Sequence, residues 1–149
     1  MIDAITFRYL TSLAVSKNLE MCLMNVVTAY LYGSLDNDIY MKIPEEFKMP
    51  EVSSSKLKEL YFIKLQRSLY ALKKSERMWY NRLSKYLLKE GYVNNPICPC
   101  IFIKKTTSRF IIIVVYIDDL NIIGTHKKIL EVMMYLKNEF KMKDLRETN

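Results

Sequence analysis

The sequence has few of the residues that interrupt regular structure, with three glycines and four prolines among 149 residues. Glycine and proline are the strongest breakers of helices and strands, so regular elements are expected to dominate. Half of the residues are hydrophobic, which excludes a disordered tail. A chain of this length fits one domain and is long enough to bury a core.

Side chains that bind soft metals are scarce, because the chain has three cysteines and one histidine. Cys98 and Cys100 are separated only by Pro99, and Cys22 is far away in the sequence. A tetrahedral zinc site needs four ligands at better spacing, so we reject such a site. This cysteine content favours a reduced, intracellular protein, either cytoplasmic or nuclear.

Long apolar runs are also absent. The longest run covers residues 110–117, which is too short to cross a membrane. A secretory signal is not expected, because Asp3 and Arg8 fall where its apolar segment would lie. We therefore expect neither secretion nor a membrane partner.

Positive charge is in excess, with 23 lysines and arginines against 16 aspartates and glutamates, for a net charge of +7. This balance favours an anionic partner such as nucleic acid. A merely soluble basic protein explains the charge equally well.

The first half of the chain alternates between short regular segments and one long polar loop. A helix is predicted over residues 4–17, with Asp3 as its cap and with Ile5, Tyr9 and Leu13 at helical spacing. The patterns that follow predict a strand over residues 20–26, a helical turn over 28–35 that stops at Gly33, and strands over 38–44 and 60–65. The polar, serine-rich residues 45–59 predict the longest loop.

The second half contains the strongest patterns. A helix is predicted to begin after Ser75 as its N-cap and to end before Gly91. Strands are predicted over residues 100–105 and 109–117, joined by a turn at 106–108, with a return strand over 120–124 and a final helix over 127–142. This order predicts a single α+β domain, an antiparallel sheet with helices packed on one face.

Two adjacent carboxylates, Asp118 and Asp119, stand where the most apolar strand ends. An unpaired carboxylate is costly to bury, so the pair needs a partner. Mg²⁺ is one such partner, because it prefers oxygen ligands and is held by carboxylates in phosphoryl-transfer sites. The alternative is a plain hairpin turn, which aspartate also favours. The apolar strands on both sides favour the metal site.

These carboxylates belong to the segment YIDD, residues 116–119, which resembles the YxDD box of reverse transcriptases. Other segments resemble, in order and spacing, the reverse transcriptase of copia-type LTR retrotransposons over nearly the whole chain. They read TAYLYGSLDNDIYMKIPEEF, KLQRSLYALKKSERMWYNRL, YIDDLNIIG and FKMKDL. The resemblance implies a ferredoxin-like polymerase palm that performs RNA-directed DNA polymerisation. It also implies that residues 1–149 are a partial palm, without the family's preceding fingers sequence and following thumb and RNase H.

The resemblance also implies roles for single residues. Asp118 would bind Mg²⁺ and Asp119 would lie nearby with a lesser role, while a further metal-binding aspartate is expected where this chain has Asn25. Tyr30 occupies the position of the aromatic that stacks under the incoming dNTP sugar. Ile117 would lie near the primer end.

Asn25 is the departure from the family pattern that we expect to affect catalysis most. An amide keeps a carbonyl oxygen but loses the negative charge, so we expect weakened Mg²⁺ binding and a polymerase rate lower by orders of magnitude. Other hypotheses remain open: a polymerase completed by other chains that tolerates Asn25, a non-catalytic basic domain that binds nucleic acid, and a reading frame that makes no stable protein.

One broad arc of the helix after Ser75 carries basic side chains. The arc consists of Lys74, Arg77, Arg82, Lys85 and Lys89, with Trp79, Leu83 and Leu87 on the opposite side. The resemblance places this segment near the RNA/DNA template-primer, where lysine and arginine would contact backbone phosphates. The alternative is a solvated charged face.

Overall fold

A computed structural model describes residues 4–47, 61–70, 72–106 and 110–145. The helices in these ranges are α1 (Ala4–Ser16), α2 (Ser75–Lys89) and α3 (His126–Glu139), with a short 3-10 helix at Ala29–Tyr32. The strands in these ranges are β1 (Glu20–Val26), β2 (Tyr40–Lys42), β3 (Phe62–Lys64), β4 (Val93–Asn94), β5 (Ile101–Lys105), β6 (Phe110–Tyr116), β7 (Asp119–Gly124) and β8 (Met142–Asp144).

The main sheet has the strand order β4-β5-β6-β7-β1-β8, and each neighbouring pair is antiparallel. Strands β2 and β3 form a separate antiparallel pair. The prediction of an α+β fold built on an antiparallel sheet is therefore confirmed. The predicted hairpin of β5 and β6 is paired as far as Lys105 and Phe110, and residues 107–109 of its turn lie outside the described residues.

The sheet buries side chains on both faces, because successive residues of a strand point to opposite sides. On β6, Ile111, Ile113 and Val115 belong to one core cluster, while Ile112 and Val114 belong to a second one. The absence of alternation in the sequence of β6 thus has a simple cause, since both sides of this central strand are covered.

Helices α2 and α3 pack together on the first face, as expected. They contribute the buried side chains Trp79, Leu83, Leu87, Ile129 and Leu136. Helix α1 adds a layer on the opposite face, which the sequence pattern does not indicate. It packs there through Leu10 and Ala14, and its Ile5 and Tyr9 are exposed.

Several predicted element ends are wrong for identifiable reasons. Ser75 is the first residue inside α2 and not its N-cap, and its hydroxyl donates a hydrogen bond to the carbonyl oxygen of Leu69. Helix α3 ends at Glu139 and not at residue 142, because Phe140 takes an extended conformation and is buried. The chain beyond it then forms β8 beside β1.

Other ends agree or fall outside the described residues. Strand β1 has the predicted bounds, and α2 is followed by Gly91, whose φ of +85° suits glycine. Strands β2 and β3 are shorter than predicted, and β4 and β8 were not predicted. The proposed cap Asp3 and residues 48–60 of the polar loop lie outside the described residues. In the described part of the chain, no helix is long and apolar enough to cross a membrane.

Helix α3 offers a matched test of this core. Leu136 is fully buried and Leu130 is 44% exposed on the same helix. We expect Leu136→Ala to lower the free energy of unfolding by about 2–5 kcal/mol, because it leaves a cavity, and Leu130→Ala by less than about 1 kcal/mol. Urea unfolding followed by circular dichroism measures both. Equal losses in the two variants would contradict the described packing.

Candidate active site

The paired aspartates lie in and beside a two-residue loop. Tyr116 pairs with Asp119 as the last pair of β6 and β7, so Ile117 and Asp118 form the connection. Both aspartate side chains are half-buried. The apolar strand therefore ends before the charges begin, and the carboxylates stand at the edge of the core and not inside it.

The loop contains a strained backbone conformation. Ile117 has a φ of +56°, in the left-handed region that β-branched residues rarely adopt. The indole Nε1–H of Trp79 donates a hydrogen bond of 2.8 Å to the carbonyl oxygen of Ile117. Because Trp79 is itself buried in α2, this bond holds the loop to the helix layer. Such strained residues persist where the surrounding structure over-determines them, often at functional sites.

Strand β1 brings Asn25 to the same place. Asn25 lies directly opposite Asp119 in the β1–β7 pairing, and its side-chain Nδ2 donates a 2.9 Å hydrogen bond to Asp119 Oδ1. The next amide, that of Val26, donates to the backbone carbonyl oxygen of Asp118 at 2.8 Å. The two aspartates and Asn25 are therefore neighbours, and the direct side-chain contact of Asn25 is with Asp119.

Tyr30 lies in the 3-10 helix that follows β1. Partial burial raises the pKa of its phenol, and the negative charges of Glu76 and Asp118 raise it further. Tyr30 therefore lies close to the loop of Ile117 and Asp118, the carboxylate loop. Its ring centroid is 4.4 Å from that of Tyr70. Tyr70 is a neighbour that sequence reasoning missed, because nothing in the sequence distinguishes it from the other tyrosines.

Gly33 allows helix α2 to approach this 3-10 helix. A Cβ atom at Gly33 would lie only 2.8 Å from Cβ of Met78 and 2.9 Å from Oγ of Ser68. The Ser68 hydroxyl in turn donates to the carbonyl oxygen of Tyr30. A larger residue at position 33 would therefore separate α2 from the segment that carries Tyr30.

The basic residues divide into two groups. Arg77, Lys85 and Lys89 are exposed on α2, and Lys74 is exposed immediately before its first residue. Arg82 is only partly exposed, because it forms an ion pair with Glu139 and its guanidinium carbon lies 5.4 Å from the centroid of the Phe140 ring. Arg82 therefore links α2 to the end of α3.

The family model described as reverse transcriptase (RNA-dependent DNA polymerase) matches residues 1–149. The chain belongs to the reverse transcriptase family. The resemblance to copia-type reverse transcriptases is confirmed by the relatives below, and no solved structure matches.

The most informative relatives are transposon polyproteins. The Retrovirus-related Pol polyprotein from transposon TNT 1-94 of Nicotiana tabacum is 36% identical over 142 residues, covering 94% of this chain and 10% of that protein. The corresponding polyprotein from transposon RE1 of Arabidopsis thaliana is 31% identical over 147 residues, covering 98% and 10%. The Transposon Ty1-BL Gag-Pol polyprotein of Saccharomyces cerevisiae is 33% identical over 79 residues, covering 53% and 4%. The chain thus spans about a tenth or less of the length of these relatives.

Reverse transcriptases act on nucleic acids and use divalent metal ions. The groups at this site that could bind such an ion belong to Asp118, Asp119 and Asn25. Asp118 and Asp119 supply carboxylate oxygens, and Asn25 supplies an amide whose N–H₂ group is directed at Asp119. Among the described residues, no three histidine, cysteine, aspartate or glutamate side chains gather into a metal-binding group.

Strain at Ile117 gives a test of the loop. Ile117→Gly removes the Cβ that disfavours a positive φ, so we expect the free energy of unfolding to rise by up to about 1 kcal/mol. Tyr116→Gly is the control, since Tyr116 is 41% exposed, close to the 38% of Ile117, but has ordinary strand geometry. That variant should lose about 1 kcal/mol. Thermal or urea unfolding measures both, and an equal loss in the two variants would rule out strain at Ile117.

Proposed function

We propose that this chain is a palm region of a copia-type reverse transcriptase that holds nucleic acid but polymerises DNA very slowly. The observation that carries the proposal is the contact between Asn25 and Asp119 at the end of β6 and β7. It puts an amide where the family resemblance implies a metal-binding carboxylate.

The donor set does not fit a centre of two divalent ions. Two carboxylates and one amide carry two negative charges, whereas two Mg²⁺ ions carry four positive charges. The amide also covers one Asp119 oxygen with its own N–H group. A single Mg²⁺ ion is commonly held by one or two carboxylates with substrate phosphates, and Asp118 and Asp119 are sufficient for that. We therefore expect weak Mg²⁺ binding that depends on a bound dNTP.

Tyr30 supports a nucleotide site beside this loop. Its half-buried ring packs on Tyr70 and lies near Asp118, at the position where the resemblance implies the aromatic under the incoming sugar. An aromatic face next to a carboxylate loop is suited to a nucleotide whose phosphates approach the carboxylates. Ile117, in the same loop, would lie near the primer end.

The exposed lysines and arginine of α2 support phosphate binding. A helix rises 1.5 Å per residue, so Lys74 and Lys89 are about 22 Å apart along the axis. The same helix contacts the carboxylate loop through Trp79. A backbone that follows α2 would therefore reach the loop, and these contacts would position nucleic acid without reading its sequence.

Primer extension with the full chain tests the proposal. With template-primer, dNTP and Mg²⁺, we expect little incorporation by the unmodified chain and an increase of about 10²-fold or more in Asn25→Asp, because the variant restores the third carboxylate. Asn25→Ala and Asn25→Asp with Asp118→Ala are the controls and should show no increase. Efficient incorporation by the unmodified chain that Asp118→Ala abolishes would overturn the proposal.

Thermal unfolding provides a second readout on the same variants. Asn25→Asp places a carboxylate against Asp119, so it should melt below the unmodified chain without Mg²⁺ and recover when Mg²⁺ is added. Asn25→Ala has no added charge and should show no such recovery. Absence of a Mg²⁺ response in folded Asn25→Asp would contradict a metal site built on these three positions.

A filter-binding titration across salt concentrations tests the nucleic-acid surface. Each neutralised phosphate contributes about 0.9 to the slope of log affinity against log salt on duplex. Lys85→Ala with Lys89→Ala should therefore reduce the slope by about 1 to 2. Lys105→Ala with Lys127→Ala is the matched control, because it removes the same number of charges from exposed lysines that lie on β5 and α3 and not on α2. Equal effects from both changes would show that α2 has no special role.

A further inference from the structure

Two cysteine side chains meet in the loop between β4 and β5, outside the candidate active site. The Sγ atoms of Cys98 and Cys100 are 2.9 Å apart. Cys98 is half-buried and faces an apolar groove of about 600 Å³ between α1 and the β5–β6 hairpin, whereas Cys100 is buried. One thiol of the pair is therefore accessible and the other is shielded.

Hydrogen bonds within the turn fix the backbone that carries both thiols. The amide of Ile101 donates to the carbonyl oxygen of Cys98 at 2.9 Å and closes the turn. The side-chain Oδ1 of Asn95 accepts from the amides of Ile97 and Cys98 at 2.9 and 3.1 Å. These bonds fix the chain on the entry side of the pair.

Neighbouring elements hold the middle and the exit of the turn. The carbonyl oxygen of Pro99 accepts from the Tyr80 hydroxyl at 2.7 Å and from Asn94 Nδ2 at 2.6 Å. The carbonyl oxygen of Cys100 accepts from the amide of Val115 at 2.8 Å. Because α2, β4 and β6 each donate a hydrogen bond to this turn, the two sulfur atoms stay close together in the folded chain.

We propose that Cys98 and Cys100 form a reversible intrachain disulfide, a modification site whose oxidant is a low-molecular-weight disulfide such as oxidised glutathione. Thiol–disulfide exchange needs an attacking thiolate with access and a second thiol within reach. The pair supplies both, and a shift of the sulfur atoms of about 0.9 Å brings them to the length of a disulfide bond.

The exchange balances in two steps. The Cys98 thiolate attacks one sulfur of oxidised glutathione, forms a mixed disulfide and releases one glutathione thiolate. Cys100 then loses its proton and attacks Cys98 Sγ, which forms the intrachain bond and releases the second glutathione. Two cysteine thiols are oxidised, and one glutathione disulfide is reduced to two thiols.

The order of attack follows from burial. Burial raises the pKa of the Cys100 thiol to about 11, and its contact with Cys98 acts in the same direction. Cys100 therefore carries little thiolate at neutral pH and is the resolving thiol, whereas the more accessible Cys98 is the entry point.

Mass spectrometry of the full chain tests this assignment. The reduced protein is incubated with oxidised glutathione, alkylated with iodoacetamide and digested with trypsin, which leaves both cysteines in one peptide of residues 90–104. We expect that peptide to lose two hydrogen atoms and to carry no glutathione, and dithiothreitol should reverse the change. Cys22→Ala is the control and should behave like the unmodified chain, because Cys22 lies in the core cluster on the other face of the sheet.

Single serine variants separate the two steps. Cys100→Ser should trap glutathione on Cys98, with about tenfold more adduct than the unmodified chain, because no resolving thiol remains. Cys98→Ser should leave Cys100 without adduct. Circular dichroism confirms that each variant is folded. An unmodified chain that keeps as much glutathione on Cys98 as Cys100→Ser does, or in which Cys98 does not react, would overturn the proposal.

Discussion

The pairing of β1 with β7 is the constraint on which the candidate site depends. Across these strands Met24 faces Leu120 and Cys22 faces Ile122, and all four side chains are buried in the same cluster. A slip of one residue would turn every side chain of β1 to the other face of the sheet, so the core allows only one register. That register places Asn25 opposite Asp119. The apolar residues thus determine which polar groups meet at the loop, although they take no part in its chemistry.

The same arrangement explains how the sheet tolerates a charged loop at the ends of two central strands. Antiparallel strands β6 and β7 are joined by a short two-residue hairpin connection, which leaves the carboxylates half-buried while the strand interiors remain covered on both faces. The loop then has little conformational freedom, because the strands hold its ends and Trp79 holds its middle. A fixed loop keeps the carboxylates in place before any ligand arrives, which lowers the reorganisation needed for binding.

Sequence reasoning succeeds here where a local signal is strong. The bounds of β1, the end of α2 before Gly91 and the return strand β7 after β6 all follow from periodicity and turn residues. It fails where a distant partner decides the outcome. Strand β8 is only three residues long and exists because β1 offers a free edge.

The site shows the same division. The family resemblance predicts that Asp118, Asp119 and Asn25 belong to one site. It does not predict that Asn25 contacts Asp119, because this contact depends on the strand register. The contact between the rings of Tyr30 and Tyr70 and the ion pair of Arg82 with Glu139 depend on how loops and helices pack in three dimensions. None of these contacts has a signature in the linear sequence, because each joins residues far apart in the chain.

The bond between Trp79 and Ile117 has a practical consequence. The chain contains a single tryptophan, Trp79, and its indole N–H donates a hydrogen bond to the carbonyl oxygen of Ile117 in the carboxylate loop. Indole emission is sensitive to the polarity around the ring and to the loss of such a bond. The tryptophan emission of the unlabelled protein therefore comes from one side chain that is bonded to this loop, and offers an optical signal for any ligand that displaces the loop.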